Sequence, residues 1–257
     1  MRVDQLDVIR HPDRAALGRA AGREIADILR QALAAQRRVR VVFAAAPSQN
    51  ETLAALASAE GIEWSRVEAF HMDEYVGLEE GAPQRFARYL EERIFRRVMP
   101  GAVHLIGTGG SSSVLAAAAD ECRRYADVLG TAVIDLVCLG IGENGHIAFN
   151  DPPVADFHDP EAVKVVALDE ACRRQQVNDG CFPSCEAVPT HAITLTIPTL
   201  LSARRMVCAV PGSTKRIAVE RVLSGPVSTS CPASILRTHP ACTLHVDHDS
   251  APPSRAP

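Results

Sequence analysis

Ile134-Asp135-Leu136-Val137-Cys138-Leu139-Gly140-Ile141-Gly142-Glu143-Asn144-Gly145-His146 is a short apolar run that stops at a glycine and opens into a polar segment. An apolar stretch of that length, bounded by turn residues, predicts a strand buried on both faces. The same pattern recurs on either side. Upstream, strands are predicted at 39–46, 67–70 and 103–106, separated by helices: an apolar stripe at Leu17, Ala21, Ile25, Ile28 and Ala32, an Ala/Leu-rich 50–59, a stripe at Phe86, Leu90 and Ile94, and an Ala-rich segment ending near Val128. Downstream come strands at 163–166, 192–197, 205–210 and 242–246, with a helix at 213–223. Strands alternating with helices of ten or more residues require crossover connections. The expected fold is therefore α/β: a Rossmann-like, three-layer arrangement of a mostly parallel sheet with helices on both faces. No repeat or linker divides the chain, so residues 1–248 are expected to form one domain and 249–257, ending Pro252-Pro253-Ser254-Arg255-Ala256-Pro257, a disordered tail.

Composition narrows the function. The chain has 257 residues, 27 Lys+Arg against 31 Asp+Glu, and a net charge of −4. That balance argues against a nucleic-acid or membrane-surface partner, which calls for a clustered basic excess. Aromatic residues make up only 4%, too few for a base-stacking platform. The N-terminus carries acids early and has no signal-like apolar core, and no stretch approaches the roughly 18 apolar residues of a membrane span. A cytoplasmic protein is expected. The eight cysteines form no Cys-x-x-Cys pair, and Cys138 and Cys208 lie in apolar runs, so they read as small hydrophobes rather than metal ligands or disulfides.

In parallel sheets the ligand lies beyond the carboxyl ends of the strands. Three segments there carry chemistry. His71-Met72-Asp73-Glu74-Tyr75-Val76-Gly77 leaves a buried strand with no turn residue before its acids, so a carboxylate must sit near the sheet rim. Partial desolvation raises its pKa and suits it to proton abstraction; the alternative is a solvated turn. Gly140 to Asp151 offers glycines that let the backbone approach a ligand and one imidazole, His146, with Asn144 and Asp151 placed to fix its tautomer. Pro211-Gly212-Ser213-Thr214-Lys215 enters a helix with two hydroxyls and a cation, which suits an anion, or else is a simple cap with Lys215 in solvent. The glycine/serine run 107–113 is a competing cradle without a basic residue.

These segments resemble glucosamine-6-phosphate deaminases. His71-Met72-Asp73-Glu74-Tyr75-Val76-Gly77-Leu78 and Gly140-Ile141-Gly142-Glu143-Asn144-Gly145-His146-Ile147-Ala148-Phe149-Asn150 look like the two signature segments of that family. Asp120 to Tyr125, Thr194 to Leu201, Gly212 to Lys215 and Pro232 to Pro240 extend the likeness in order along the chain. The related 6-phosphogluconolactonases usually read Gly-His-Thr-Ala-Ser at the second signature, so Gly145-His146-Ile147-Ala148-Phe149-Asn150 sides with the deaminases. The resemblance implies conversion of an amino-sugar 6-phosphate to fructose 6-phosphate and ammonia with no metal or organic cofactor. It implies Asp73 as the base at C2, His146 as the ring-opening proton carrier oriented by Asn144 and Asp151, and Lys215 on the phosphate, with Ser48, Gln49 and Gly140 also at the substrate. A small-molecule sugar phosphate is the expected partner, and a homo-oligomer is left open.

The sequence departs from this pattern at four places. Ala46-Pro47-Ser48 stands where the family usually has Gly-Gly-Thr, removing one backbone donor and adding a Cβ. Gln176 falls where an Arg clamps the phosphate, a loss of roughly 1.5–3 kcal/mol unless Arg173 or Arg174 substitutes. Asp151 replaces a common Glu, and Asn144 an Asp. Two alternatives stay open: a lactonase or other isomerase acting on a different sugar phosphate, and a non-catalytic sugar-phosphate-binding sensor. The resemblance also implies that the allosteric pocket of regulated deaminases is missing, because Pro153-Val154-Ala155 lacks its serines and Ala162 stands in place of an Arg. Hyperbolic rate curves are expected; a sigmoidal curve relieved by an N-acetylated sugar phosphate would contradict this.

Overall fold

The structure is a computed structural model and describes residues 1–107 and 114–253. In chain order its elements are β1 (Arg2–Val3), β2 (Leu6–His11), α1 (Arg14–Ala35), β3 (Val39–Phe43), α2 (Asn50–Ala57), β4 (Val67–His71), β5 (Asp73–Tyr75), α3 (Phe86–Leu90), continued through a π turn into α4 (Arg96–Val98), and β6 (Ala102–His104). There follow α5 (Val114–Gly130), β7 (Leu136–Leu139), β8 (Val163–Ala167), α6 (Glu170–Asn178), β9 (His191–Leu195), α7 (Ile197–Leu201), β10 (Arg205–Val210), α8 (Arg216–Ser224) and β11 (Cys242–Asp247). An eight-stranded sheet runs β1-β2-β11-β10-β7-β3-β4-β6, parallel except at β1.

The period of two along each strand builds the three layers. On β7, Leu136 and Cys138 face the core under α1 and α2, whereas Val137 and Leu139 face the core under α5 and α8. On β10, Val207 and Ala209 take the first side, and Met206, Cys208 and Val210 the second. Both faces are covered, which is why these strands read as continuous apolar runs. Full burial of each Val or Leu contributes about 1.5–3 kcal/mol.

One architectural element departs from the expected single sheet. The segments at 163–167 and 191–195 leave the parallel sheet and form a second, antiparallel one, β5-β9-β8. Its third member is Asp73-Glu74-Tyr75, so the two acids lie in a short strand rather than in a turn. The chain bends at Met72, whose carbonyl accepts from Leu195 N at 2.8 Å, and Asp73 then pairs with Thr194. The C-terminal boundary also differs. Ser250 and Ala251 are buried, with Ser250 N donating to Asp247 Oδ1 at 2.8 Å, so ordered chain continues past 248 because this turn covers the end of β11. Residues 254–257 of the expected tail lie outside the described residues, as do 108–113 of the glycine/serine run.

From β3 the chain moves outward to β4 and β6, then returns across β3 to β7 and continues the other way through β10 and β11. The reversal leaves a crevice at the carboxyl ends of β3 and β7, the place where open α/β sheets bind ligands. Among the described residues, no helix is long and apolar enough to cross a membrane.

Candidate active site

That crevice is an open cleft lined by the turns after β3, β4, β7 and β10 and by one face of α6. Asp73, His146, Ser48, Gln49, Gly140 and Lys215 all line it. Asn144 and Asp151 stand behind His146 rather than at the cleft wall.

Asp73 reaches the cleft because alternation along β5 sends it to one side and Glu74 to the other. Glu74 is structural: its carboxylate accepts from Tyr75 N, Phe86 N and Ala87 N at 3.0, 3.1 and 3.0 Å, capping α3, with Arg85 Nε 3.5 Å away. Among the described residues, Asp73 meets no such set of donors. Burial, followed by the neighbouring charges of Glu74 and Asp151, raises its pKa well above the ordinary carboxylate range. A carboxyl raised in this way is tuned toward proton transfer near neutrality.

His146 is held from both ends. Its Nδ1 donates to Asp151 Oδ1 at 2.8 Å, and its backbone N–H donates to Asn144 Oδ1 at 3.0 Å. Asn144 Nδ2 donates to the same Asp151 oxygen at 2.7 Å. Asn144 thus orients His146 through Asp151 and the main chain rather than by touching the ring. Burial pushes the Asp151 carboxyl up, but the charge of His146 and bonds from His146, Asn144 and Cys172 outweigh it and hold the pKa below the usual value. Asp151 stays ionised, so Nδ1 carries the proton and Nε2 is the ring nitrogen left to the cleft. Gly142 permits this: a Cβ there would lie 2.2 Å from Nε2.

The turn 146–151 is pinned to the second sheet. Phe149 N donates to Thr194 Oγ1 at 3.1 Å and Asn150 Nδ2 to Leu195 O at 2.8 Å, and Thr194 is the β-pairing partner of Asp73. The antiparallel sheet therefore places the acid and the imidazole relative to one another.

Lys215 ends a 3-10 turn, Ser213–Lys215, that leads into α8. Its side chain is buried in the cleft wall rather than held in solvent, and burial lowers its pKa against the opposing charges of Asp179 and Glu143. Among the described residues that line the cleft, it is the only Lys or Arg. Arg173 bonds the carbonyl of Cys185 and Arg174 the carboxylate of Glu170, so neither reaches the cleft in place of the expected guanidinium. Gln49 is 3% exposed, and its Nε2 donates to Ala209 O at 3.1 Å and Ser48 Oγ at 3.3 Å. It braces the turn after β3 against β10, and a Cβ on Gly140 would lie 2.8 Å from the same Nε2.

Gln175, Asp179, Cys181, Phe86 and Phe149 also line the cleft, and the sequence assigns none of them to the site. Gln175, Gln176 and Asp179 come from α6, where the sequence reading places no helix. Few apolar residues mark it, but an N-cap does: Asp169 accepts from Cys172 N at 2.7 Å. All eight cysteines are free thiols, six of them buried. Among the described residues, no group of three or more His, Cys, Asp or Glu side chains is placed to hold a metal ion.

Comparison with known proteins places this geometry. The family model of glucosamine-6-phosphate isomerases/6-phosphogluconolactonase matches residues 12–244. Glucosamine-6-phosphate deaminases of Bacillus thuringiensis (strain Al Hakam) and Bacillus cereus (strain B4264) are each 35% identical over 189 residues, covering 74% of this chain and 68% of theirs. The solved structure of a monomeric glucosamine-6-phosphate deaminase superimposes with a TM-score of 0.83 at 28% identity, covering 95% of this chain and 98% of that one. The 6-phosphogluconolactonase of Thermotoga maritima shares the fold with a TM-score of 0.75 at 19% identity, over 94% of this chain and 99% of that one. With its sequence matched over most of its length, this chain belongs to the glucosamine-6-phosphate isomerase/6-phosphogluconolactonase family.

Proposed function

We propose that the chain is a cytoplasmic amino-sugar-phosphate deaminase/isomerase, acting on glucosamine 6-phosphate or a close analogue. One observation carries the reading: Asp73, the Asp151-oriented His146 and Lys215 face a single cleft.

The chemistry follows from where each group stands. Lys215 holds the phosphate by charge, aided by Ser48. His146 Nε2 takes the proton of the anomeric hydroxyl and passes it to the ring oxygen as the hemiacetal opens, and Asp151 stabilises the imidazolium that exists between the two transfers. Asp73 takes the C2 proton and returns it to C1, moving the double bond through an enolamine to a C2 imine. Water adds at C2, the C–N bond breaks, and ammonia leaves with the ketose phosphate. Substrate and one water balance fructose 6-phosphate and ammonia.

Lys215→Met should raise KM for a phosphorylated substrate roughly tenfold or more, since a charge-assisted contact contributes about 1.5–3 kcal/mol, with kcat changed far less. Steady-state kinetics checks this, and an unchanged KM would remove Lys215 from the phosphate site.

A lactonase-like reading rests on the Ala46-Pro47-Ser48 turn, which offers a poorer anion cradle than Gly-Gly-Thr. A small panel separates the readings: glucosamine 6-phosphate, its C4 epimer and 6-phosphogluconolactone, followed by ammonia detection and by lactone hydrolysis. Ammonia from an amino sugar supports the deaminase; lactone opening alone supports the alternative. Thermal stabilisation by several sugar phosphates without turnover would mark a sensor.

A further inference from the structure

Two adjacent glutamines on α6 make contacts that the reaction above does not use. Gln175 and Gln176 are both buried, at 8% and 6% exposure, and both line the cleft. Gln175 Oε1 accepts from Glu143 N at 2.8 Å, within the turn that carries His146. Gln176 Oε1 accepts from the Tyr75 hydroxyl at 2.6 Å, two residues beyond Asp73 on β5. Tyr75 is itself fully buried among Phe86, Phe149 and Phe182, and it is not a cleft residue. One helix turn thus grips the segment of the proton-carrying imidazole with one amide and the segment of the base with the next.

We propose that Gln175 and Gln176 form a paired positioning device that sets the separation of Asp73 and His146, each acting through the segment it holds. The inference rests on the deaminase reading for its kinetic consequence but not for its geometry. Thr194 and Leu195 on the second sheet supply one bracket, through Phe149 and Asn150; the glutamine pair supplies the other, from α6. Two brackets are needed because neither segment is a helix or a central strand. Proton transfer depends steeply on placement, so loosening either bracket should lower turnover before it lowers binding.

The pair of contacts also explains why two long polar side chains are buried side by side on a short helix. A buried amide oxygen that accepts a defined donor fixes one orientation, whereas an apolar side chain of similar size would fill the volume and leave the Glu143 N–H or the Tyr75 hydroxyl unpaired. Gln→Met is therefore the informative change, since it keeps most of the volume and removes the acceptor. Gln176→Glu keeps an acceptor oxygen for Tyr75.

The test compares Gln175→Met, Gln176→Met, their double variant, Gln176→Glu and Tyr75→Phe in the full chain. Steady-state kinetics with glucosamine 6-phosphate is measured well below each variant's Tm, alongside amide hydrogen exchange of the ligand-free proteins. Each single Met variant should lower kcat about tenfold with KM within about twofold. Exchange should rise over 140–146 for Gln175→Met and over 73–76 for Gln176→Met. Tyr75→Phe should reproduce the kcat loss of Gln176→Met, Gln176→Glu should recover most of that kcat, and the double variant should lose less than the product of the singles. If Gln176→Met instead raises KM with kcat intact while Tyr75→Phe is silent, Gln176 contacts substrate directly and the proposal fails. Unchanged kcat in both Met variants, with only Tm lowered, would show a purely structural role and also overturn it. If the wild-type protein releases no ammonia, the functional reading fails separately; the exchange pattern then decides the positioning role, which falls if neither segment responds.

Discussion

Asp73→Asn should lose turnover by two to four orders of magnitude while still binding a sugar phosphate. General-base removal costs about 10²–10⁴-fold, and the amide is isosteric with the acid, so the cleft keeps its shape. The same residue sets the acidic side of the pH profile. Burial, then Glu74 and Asp151, push the Asp73 carboxyl upward. A base must be deprotonated to act, so kcat/KM should fall as the pH drops through this raised value, above the ordinary carboxylate range. Near-full turnover by Asp73→Asn, or an acid limb at the usual carboxylate pH, would show that another group takes the C2 proton.

Asp151→Asn should be nearly as damaging, for a different reason. Asp151 accepts the Nδ1 proton of His146 at 2.8 Å and supplies the negative charge facing the imidazolium. The neutral amide keeps the volume but loses the charge and permits the wrong tautomer, and comparable changes in His–carboxylate pairs cost on the order of 10²–10⁴-fold in kcat. A second effect has a definite sign. Asp151 is one of the charges that raise the Asp73 pKa. Its neutralisation should move the acid limb of whatever activity remains to lower pH, because removing a nearby negative charge favours ionisation of Asp73. A variant with unaltered kcat, or with its acid limb moved upward, would break the assigned link between the two carboxylates.

The parallel sheet was legible because strands covered on both faces leave continuous apolar runs, as at 136–139 and 205–210, and the helices between them carry an apolar stripe. Asp73, His146, Gly140 and Lys215 were found because they lie where such strands end. What escaped was carried by polar or very short elements. β5 is three residues long and begins with two acids, so nothing in its pattern distinguishes it from a turn. α6 buries Cys172, Gln175 and Gln176 rather than Leu or Ile, so the periodicity used to find helices has nothing to register there. Its Asp169 cap was a usable signal. β2 shows the alternation Leu6, Asp7, Val8 but sits toward an edge and then exposes Ile9 and Arg10, so its apolar pattern stops after Val8. Gln175 and Asp179 could not be placed at the cleft without α6, and the double grip on Glu143 and Tyr75 exists only in three dimensions.

The phosphate end is where this chain differs most from what its family resemblance implies. Gln176, which the resemblance sets at the position of a phosphate-clamping Arg, carries no charge, and its oxygen is committed to Tyr75. Asp179 lies on the same wall as Lys215, and the protein as a whole carries a net charge of −4. On the proposed function, capture of an anionic substrate would therefore depend on Lys215 and local donors rather than on a broad positive field.

Incubation of the wild-type protein with glucosamine 6-phosphate, with ammonia and fructose 6-phosphate measured together and Asp73→Asn run in parallel, tests the central claim most directly. The account predicts the two products in a 1:1 ratio from the wild type and loss of both in the variant. Binding of glucosamine 6-phosphate with neither product formed, or equal product formation by Asp73→Asn, would contradict it.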